Sequence, residues 1–233
     1  MILEATKLSL KIAFIATFIS IILSFIIAIF IYKGKRKRDK LIEGFISFPL
    51  FFPPSVLGYV LLILLGKNGI FGRFLYNYGI QIIFTWKAGV IACVAVSLPM
   101  AYQCIKAGFL EIDREYIEAA IEMGATKLEM CRYIIFPLIR KNIGAGAVLS
   151  FGRSFGEFGA TLMIAGNIPG KTQTIPMAIY YSVERGDNHS ANILLIIVTC
   201  ISFIVMWSYN HYWLNNNFKQ TYSFKKKNSI QIK

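Results

Sequence analysis

The stretch DREYIEAAIEMGATKLEMCRYIIFP, residues 113–137, is polar and lies between two long apolar runs. Its first half has apolar or small residues at positions i, i+3, i+4 and i+7, the spacing of one helix face: Ile117, Ala120, Ile121 and Gly124. A second face carries acidic residues at the same period: Glu111, Glu115, Glu118 and Glu122. This pattern predicts an amphipathic helix whose acidic side meets water.

Local signals divide the stretch into two helices. Asp113 is placed to be the N-cap of the first helix, and Gly124 to end it in a left-handed conformation. Thr126 and Glu129 have the capping-box spacing that begins a second helix, and Pro137 predicts an interruption of its regular hydrogen bonding. From the pattern alone, this is either a solvated hairpin between membrane spans or a hairpin that meets a partner protein.

Composition places the chain among membrane proteins. Of its 233 residues, 56% are hydrophobic, and the mean hydropathy is +0.57. The net charge is +13, and basic residues cluster beside apolar runs, at residues 33–40 and after Asn217. A nucleic-acid partner would need a basic surface on a soluble fold, so this distribution favours the positive-inside pattern instead. The four cysteines have no CxxC spacing and are interpreted as inert packing residues: Cys93, Cys104, Cys131 and Cys200.

Five apolar runs are long enough to cross a hydrocarbon core of about 30 Å. We expect spans at residues 12–32, 44–66, 88–105, 142–166 and 191–209. The predicted fold class is therefore an all-α integral membrane protein with five transmembrane helices and a cytoplasmic hairpin. The positive-inside rule places the N-terminus outside and the C-terminus in the cytoplasm. Residues 1–11 are expected to lie along the interface as a short amphipathic lead-in.

The first run could be a cleaved signal peptide, but it lacks a clear small-x-small cleavage site and its basic cluster follows it. The second run contains prolines that predict a kink: Pro49, Pro53 and Pro54. Such breaks are tolerated in membranes where protein or a wet cavity satisfies the freed backbone groups. Two further segments are predicted to be external: the aromatic loop 67–86, and residues 167–187 with an interfacial or re-entrant helix at 175–183.

The fourth run carries an ionisable pair near mid-membrane. Arg153 and Glu157 are four residues apart and are expected on one side of a continuous helix. Small residues beside them form a small-xxx-small face for close helix approach: Gly152, Gly156 and Ala160. Such a pair either faces a water-filled path or locks two helices together, and both interpretations stay open.

The spacing around Glu118 resembles a known signature. Glu118-Ala119-Ala120, three residues, Gly124, nine residues, Ile134, one residue and Phe136-Pro137 is similar to the EAA motif of ABC importer permeases, with Phe136 where that motif usually has leucine. The resemblance implies a cytoplasmic coupling helix, within segment 110–141, that docks in a cleft of a separate ATPase subunit. The residues implied in this coupling are Glu115, Glu118, Ala119, Ala120 and Gly124.

Two further stretches, residues 50–72 and 155–180, resemble molybdate importer permeases. The resemblance implies a permease domain over residues 1–217, a basic cytoplasmic tail at 218–233, and a homodimeric pore. It also implies ATPase subunits that bind ATP and magnesium, and an external molybdate-binding protein. Permeases for tungstate and sulfate are related, so the identity of the oxyanion stays open.

No residue of this chain is predicted to do covalent chemistry. The sequence has no phosphate-binding GxxxxGK[ST] motif and no metal-ligand cluster, and its two histidines are isolated. We therefore expect no cofactor on this chain, and Arg153 and Ser154 as candidates for the lining of an oxyanion path. A stand-alone channel or carrier would not need a docking helix, and a membrane enzyme would need titratable groups in several spans.

Overall fold

The computed structural model describes residues 1–31 and 37–211 of the chain. Within those ranges the secondary structure is α-helical with no strand, as predicted. Eleven α-helices make up the described part: α1 (Ile2–Ile31), α2 (Lys37–Ser47), α3 (Pro54–Leu65), α4 (Ile70–Asn77), α5 (Trp86–Leu110), α6 (Arg114–Glu122), α7 (Lys127–Met130), α8 (Phe136–Phe155), α9 (Gly159–Ala165), α10 (Ile175–Glu184) and α11 (Asn188–Tyr209).

Four helices of the described part are long and apolar enough to cross a membrane, namely α1, α5, the helix Lys127–Phe155 and α11. A bent pair, Lys37–Leu50 and Pro54–Leu65, makes a fifth if it counts as one span. The predicted basic cluster lies partly outside the described residues, and the basic tail 218–233 lies wholly outside them.

The first helix is longer than predicted. Helix α1 runs without a break from Ile2, so the separate lead-in expected at residues 1–11 is wrong. Ala5 and Ser9 are buried, and the Ser9 hydroxyl accepts the Ile175 N–H at 2.7 Å. This bond satisfies one of the free N–H groups at the start of α10, which ties the start of α1 into the fold.

The second predicted span is bent far more sharply than a kink. Helices α2 and α3 are inclined by 114° to one another. A 3₁₀ turn at Phe48–Leu50 follows α2, and α3 begins with Pro53 at its N-cap and Pro54 in its first turn. Proline has no N–H to lose at a helix start, which is why the new helix begins at this pair.

The centre of the structure is α5, which packs against α1 and α8. Small residues and hydroxyl groups line these contacts, so the backbones approach closely. The Ser20 and Ser97 hydroxyls lie 2.9 Å apart, and the Ser150 hydroxyl donates to the Ser97 carbonyl at 3.3 Å. Each such bond between helices in a membrane contributes on the order of 0.6 kcal/mol.

The fourth span differs from the prediction at both ends. It begins at Lys127 and ends at Phe155, whereas a continuous helix was expected over 142–166. The chain leaves the helix after Phe155, and the short helix α9 follows. Glu157, which precedes the N-cap residue Phe158, stabilises this break: its carboxylate accepts the Ala160 N–H at 2.8 Å, one of the free N–H groups in the first turn of α9.

This break also divides the predicted small-xxx-small face. A Cβ on Gly152 would meet open space, and one on Gly156 would come within 4 Å of only the Gly152 carbonyl oxygen. Ala160 is fully buried, and it packs on Gly58 of α3. The three residues therefore do not form one packing face within this chain.

The remaining segments follow the prediction more closely. Residues 175–183, expected as a short helix, belong to α10, whose inner face is buried: Ile175, Met177, Ala178 and Ser182. The loop 67–86 contains the unpredicted helix α4. Helix α11 begins three residues earlier than expected, where Asp187 accepts the Ser190 N–H at 3.1 Å. Its hydrogen bonds with Ser190 hold the pKa of Asp187 below its usual value.

The contact between α3 and α9 is tight enough to test. A Cβ at Gly58 would lie 2.7 Å from the Ala160 Cα, so Gly58→Ala must displace backbone. We expect a loss of stability of about 1–3 kcal/mol, measured as a lower midpoint of thermal unfolding in detergent. The control is Gly44→Ala in α2, where a Cβ meets nothing within 4 Å and the midpoint should stay equal or rise. Equal midpoints for both variants would contradict the close packing of α3 and α9.

Candidate functional site

The polar hairpin after α5 begins with helix α6. Asp113 occupies the N-cap position as predicted, although its side chain makes no capping bond. Glu115 lies in the first turn, where its charge complements the helix dipole. Gly124 has φ +79°, which confirms the predicted left-handed end of this helix and explains why glycine stands there.

The second helix of the hairpin starts with the predicted capping box. The Thr126 hydroxyl accepts the Glu129 N–H at 3.3 Å, and the Glu129 carboxylate accepts the Thr126 N–H at 2.8 Å. The two residues thus satisfy each other's backbone donors. Together with the Gly124 turn, the box fixes the angle at which the chain leaves α6.

A π-helical turn, Cys131–Ile135, follows α7 and precedes Pro137 in the first turn of α8. Pro137 has no N–H to donate to the carbonyl four residues earlier, and the wider turn instead bonds the Phe136 N–H to the Cys131 carbonyl. The interruption predicted from Pro137 is therefore present just before it. The chain nevertheless stays helical from Lys127 to Phe155, which joins the hairpin to the fourth span.

The side chains of the hairpin divide into an anchored and an exposed set. Ile117 packs against the core at the end of α5, and Ala120 is buried. Three of the candidate coupling residues are exposed on α6: Glu115, Glu118 and Ala119. Gly124 is exposed at the turn beside large apolar side chains that are also exposed: Ile121, Met123 and Leu128.

Large exposed apolar patches on proteins commonly serve as contact surfaces. The pattern predicted Ile121 on the buried face together with Ile117 and Ala120, but the structure leaves 53% of Ile121 exposed. Met123 and Leu128 were not predicted. Their position on both sides of the Gly124 turn was the signal that could have identified them as exposed apolar residues.

The ionisable pair of the fourth span is present, but not on one helix. Arg153 lies in the last turn of α8, and Glu157 lies in the break that follows. The Arg153 guanidinium donates to the Glu157 carboxylate, whose other oxygen accepts the Ala160 N–H. Glu157 has 1% of its side chain exposed and Arg153 has 27%. The pair therefore lies at the junction between α8 and α9, where Glu157 is buried and Arg153 is partly exposed.

A groove of about 450 Å³ lies beside Arg153, between α5, α8 and α11. Apart from Arg153 and Ser202 its walls are apolar, as at Met100, Leu149 and Met206. Ser154 does not reach it: this residue is buried, and its carbonyl accepts the Cys93 thiol at 3.4 Å. The structure thus pairs Arg153 with Glu157 and places Gly156 at the C-cap of α8 between them, whereas the Ser154 side chain is buried away from the groove.

Comparison with known proteins identifies the family to which this chain belongs. Residues 11–212 match the model of the family described as binding-protein-dependent transport system inner membrane component. The chain belongs to this family. The predicted importer permease fold is confirmed by that match, and members of the family are transport subunits rather than enzymes.

Among characterised relatives of this inner membrane component family are two molybdenum transport system permease proteins. The one from Haemophilus influenzae is 35% identical over 208 residues, covering 87% of this chain and 91% of the relative. The one from Escherichia coli is 34% identical over 197 residues, covering 84% and 86%. A sulfate transport system permease protein from Salmonella typhimurium is 30% identical over 209 residues, covering 90% and 76%.

A solved structure supports the same fold. The methionine ABC transporter in inward-facing conformations superposes with a TM-score of 0.71 at 14% identity, covering 91% of this chain and 94% of the other. At that identity the likeness concerns the arrangement of helices alone.

The Arg153–Glu157 pair yields a stability prediction. Arg153→Gln leaves the Glu157 carboxylate buried without its cation, and we expect a loss of about 2 kcal/mol, less than for a fully buried pair because Arg153 is partly exposed. Adding Glu157→Gln removes the unpaired charge and keeps an oxygen for the Ala160 N–H, so the double variant should regain part of the loss. Unfolding midpoints in detergent measure this cycle. A double variant no more stable than Arg153→Gln would show that the ion pair does not hold the junction.

Proposed function

We propose that this chain forms the membrane pathway of a molybdate importer. The observation that carries the proposal is the similarity to two molybdenum permeases, at 34–35% identity over most of both chains. The sulfate permease is the second candidate, at 30% identity and with less of its own length covered. The cargo is inferred from the names of the relatives, and the transport role is inferred from the family match.

We further propose that two copies assemble around the pathway and that each hairpin docks on an ATPase subunit. ATP and magnesium then bind on that partner. The exposed acidic side of α6 offers charge complementarity to a basic cleft, and the apolar residues beside Gly124 offer contact area. The buried side of α6, at Ile117, transfers the partner's movement to the end of α5.

The second route of movement is the continuous helix from Lys127 to Phe155. At 1.5 Å per residue it is roughly 43 Å long, and it connects the docking surface to the Arg153–Glu157 junction. Displacement at the hairpin therefore reaches the far side of the membrane without passing through a loop. This geometry suits alternating access, in which ATPase closure opens the pathway first to one side and then to the other.

Arg153 is our candidate for assisting the anion. One of its five N–H donors is used by Glu157, and the side chain is open on one side. A paired arginine presents weak positive potential, which lets a hydrated oxyanion pass without being trapped. Because the groove beside it is mostly apolar in a single copy, we propose that the wet part of the path lies between two copies.

An external binding protein completes the proposed system, with residues 67–85 and 167–187 as its docking loops. The second loop is held in shape by its own side chains. The Thr172 hydroxyl donates to the Gly166 carbonyl at 2.9 Å, and the Gln173 amide donates to Asn167 at 2.9 Å. A preformed loop loses little conformational entropy on binding. This assignment requires the external N-terminus that the positive-inside rule predicts.

Reversing one charge on α6 tests the docking surface. Glu118→Lys should reduce the ATPase subunit that co-purifies with the tagged chain by about tenfold, since a like charge would face the cleft. The matched control is Glu184→Lys, the same change at an exposed residue of α10. Membrane levels of both variants should equal the wild type. Equal co-purification of the two variants would refute docking through α6.

The cargo is tested by uptake of labelled molybdate in cells that lack the chain, with and without its return. We expect uptake to be restored and to be competed by tungstate and not by sulfate. Competition by sulfate would assign the chain to the sulfate class. Loss of restored uptake with Glu118→Lys, at normal membrane level, would connect the transport to the hairpin.

A further inference from the structure

Helix α2 contacts α5 over a short stretch. The Tyr102 hydroxyl donates to the Glu43 carboxylate at 3.0 Å, and the Lys106 ammonium donates to its other oxygen at 2.8 Å. One turn further along α2, the Ser47 hydroxyl accepts the Gln103 amide at 3.0 Å. The whole contact thus falls within about one turn of α5. Together with the 114° bend before α3, this shows that α2 does not continue the direction of the span.

The outer side of α2 has the character of a helix that lies on a membrane surface. Exposed apolar side chains recur at i, i+4 and i+7, with 74% of Leu41 and 81% of Phe45 accessible, and 54% of Phe48 in the turn that follows. The basic side chain of Lys40 is exposed in the first turn of α2. An apolar stripe combined with basic residues is the pattern by which amphipathic helices bind anionic lipid surfaces.

A cavity of about 290 Å³ opens where α2 meets α1 and α5. Its polar wall is formed by Lys40, Glu43 and Lys106, and Ile31 and Leu110 belong to its apolar wall. Such a volume is at the lower end for a ligand pocket and suits a lipid headgroup better than a whole lipid.

The charges in this cavity leave a net attraction for an anion. Both oxygens of Glu43 are occupied, by Tyr102 and by Lys106. Lys106 keeps two of its three N–H donors, while Lys40 makes no ion pair with a residue in 1–31 or 37–211. The carboxylate therefore holds Lys106 in place, and Lys40 supplies the uncompensated charge.

We propose that this cavity binds the phosphate group of an anionic phospholipid through Lys40 and Lys106. The lipid's acyl chains would continue over the exposed side chain of Leu110, which belongs to the cavity wall. A free oxyanion fits the two lysines as well, but it would make no contact with the apolar wall. The bound lipid would hold α2 against α5, beside the hairpin. This proposal is independent of the cargo and of the ATPase.

The test compares phospholipid retained by the purified protein, with any subunits that accompany it, after exchange into mixed phosphatidylglycerol and phosphatidylcholine micelles. Native mass spectrometry counts the bound lipids. Wild type should retain phosphatidylglycerol in preference, and Lys40→Gln should reduce that preference by about fivefold. The matched control is Lys37→Gln, which removes the same charge from the same turn but outside the cavity wall, and should retain the preference.

Three results would overturn the site. Equal losses in the two variants would show diffuse attraction to surface charge, and no preference in the wild type would show that nothing is bound. Displacement of the bound lipid by inorganic phosphate or molybdate would assign the lysines to a free oxyanion. As a second readout, phosphatidylglycerol should raise the unfolding midpoint of the wild type and of Lys37→Gln, and not that of Lys40→Gln.

Discussion

The carboxylate of Glu157 is the interaction on which the end of the structure that contains α9 depends. In a membrane a charged group must find its partners inside the protein, and Glu157 has two: the Arg153 guanidinium and the Ala160 N–H. These bonds end one helix and begin the next. Helix α9 can then turn back, and its Ile164 carbonyl accepts the Phe84 N–H at 2.9 Å, just before α5 begins. The hydrogen bonds of this one carboxylate thus help to position the end of α8, helix α9 and, through α9, the residues just before α5.

The central helices are held together by other means. Helices α1, α5 and α8 meet over small and hydroxyl-bearing residues, which suits a solvent where apolar packing has no advantage over lipid. The Ser20–Ser97 and Ser150–Ser97 contacts are buried bonds of this kind. Larger apolar residues fill the core near the hairpin, as at Phe109, and also between α8, α10 and α11, as at Phe155 and Leu194. The protein thus combines close contacts over small residues, where the helices cross, with clusters of larger apolar side chains.

Sequence reasoning succeeded where the signals were local. Gly124 and the Thr126–Glu129 box determine the hairpin through contacts within a few residues, so its shape followed from the pattern. The break after Phe155 could not be found in the same way, because the four-residue spacing of Arg153 and Glu157 allows an ion pair in a continuous helix and in a broken one. The broken path also brings Ala160 against Gly58, about 100 residues away in sequence, and no local pattern indicates that contact. The bend before α3 was underestimated for a similar reason: proline predicts a break, whereas the contacts of α2 with α5 determine its angle.

Two of the irregular segments in the described part of the chain are in contact with one another. A Cβ on Gly159, the first residue of α9, would lie 3.2 Å from the Ser55 backbone nitrogen and 3.3 Å from the Pro54 side chain. The break after α8 therefore lies against the break before α3. A shift of α8 would pass through Glu157 to α9, and from α9 to the start of α3, where the missing proline donors leave the backbone least restrained by hydrogen bonds. Rigid helices joined at adjoining breaks can pivot about a common point. If the hairpin docks as proposed, the proline pair and the Glu157 junction together would form the place where its movement changes the path between the helices.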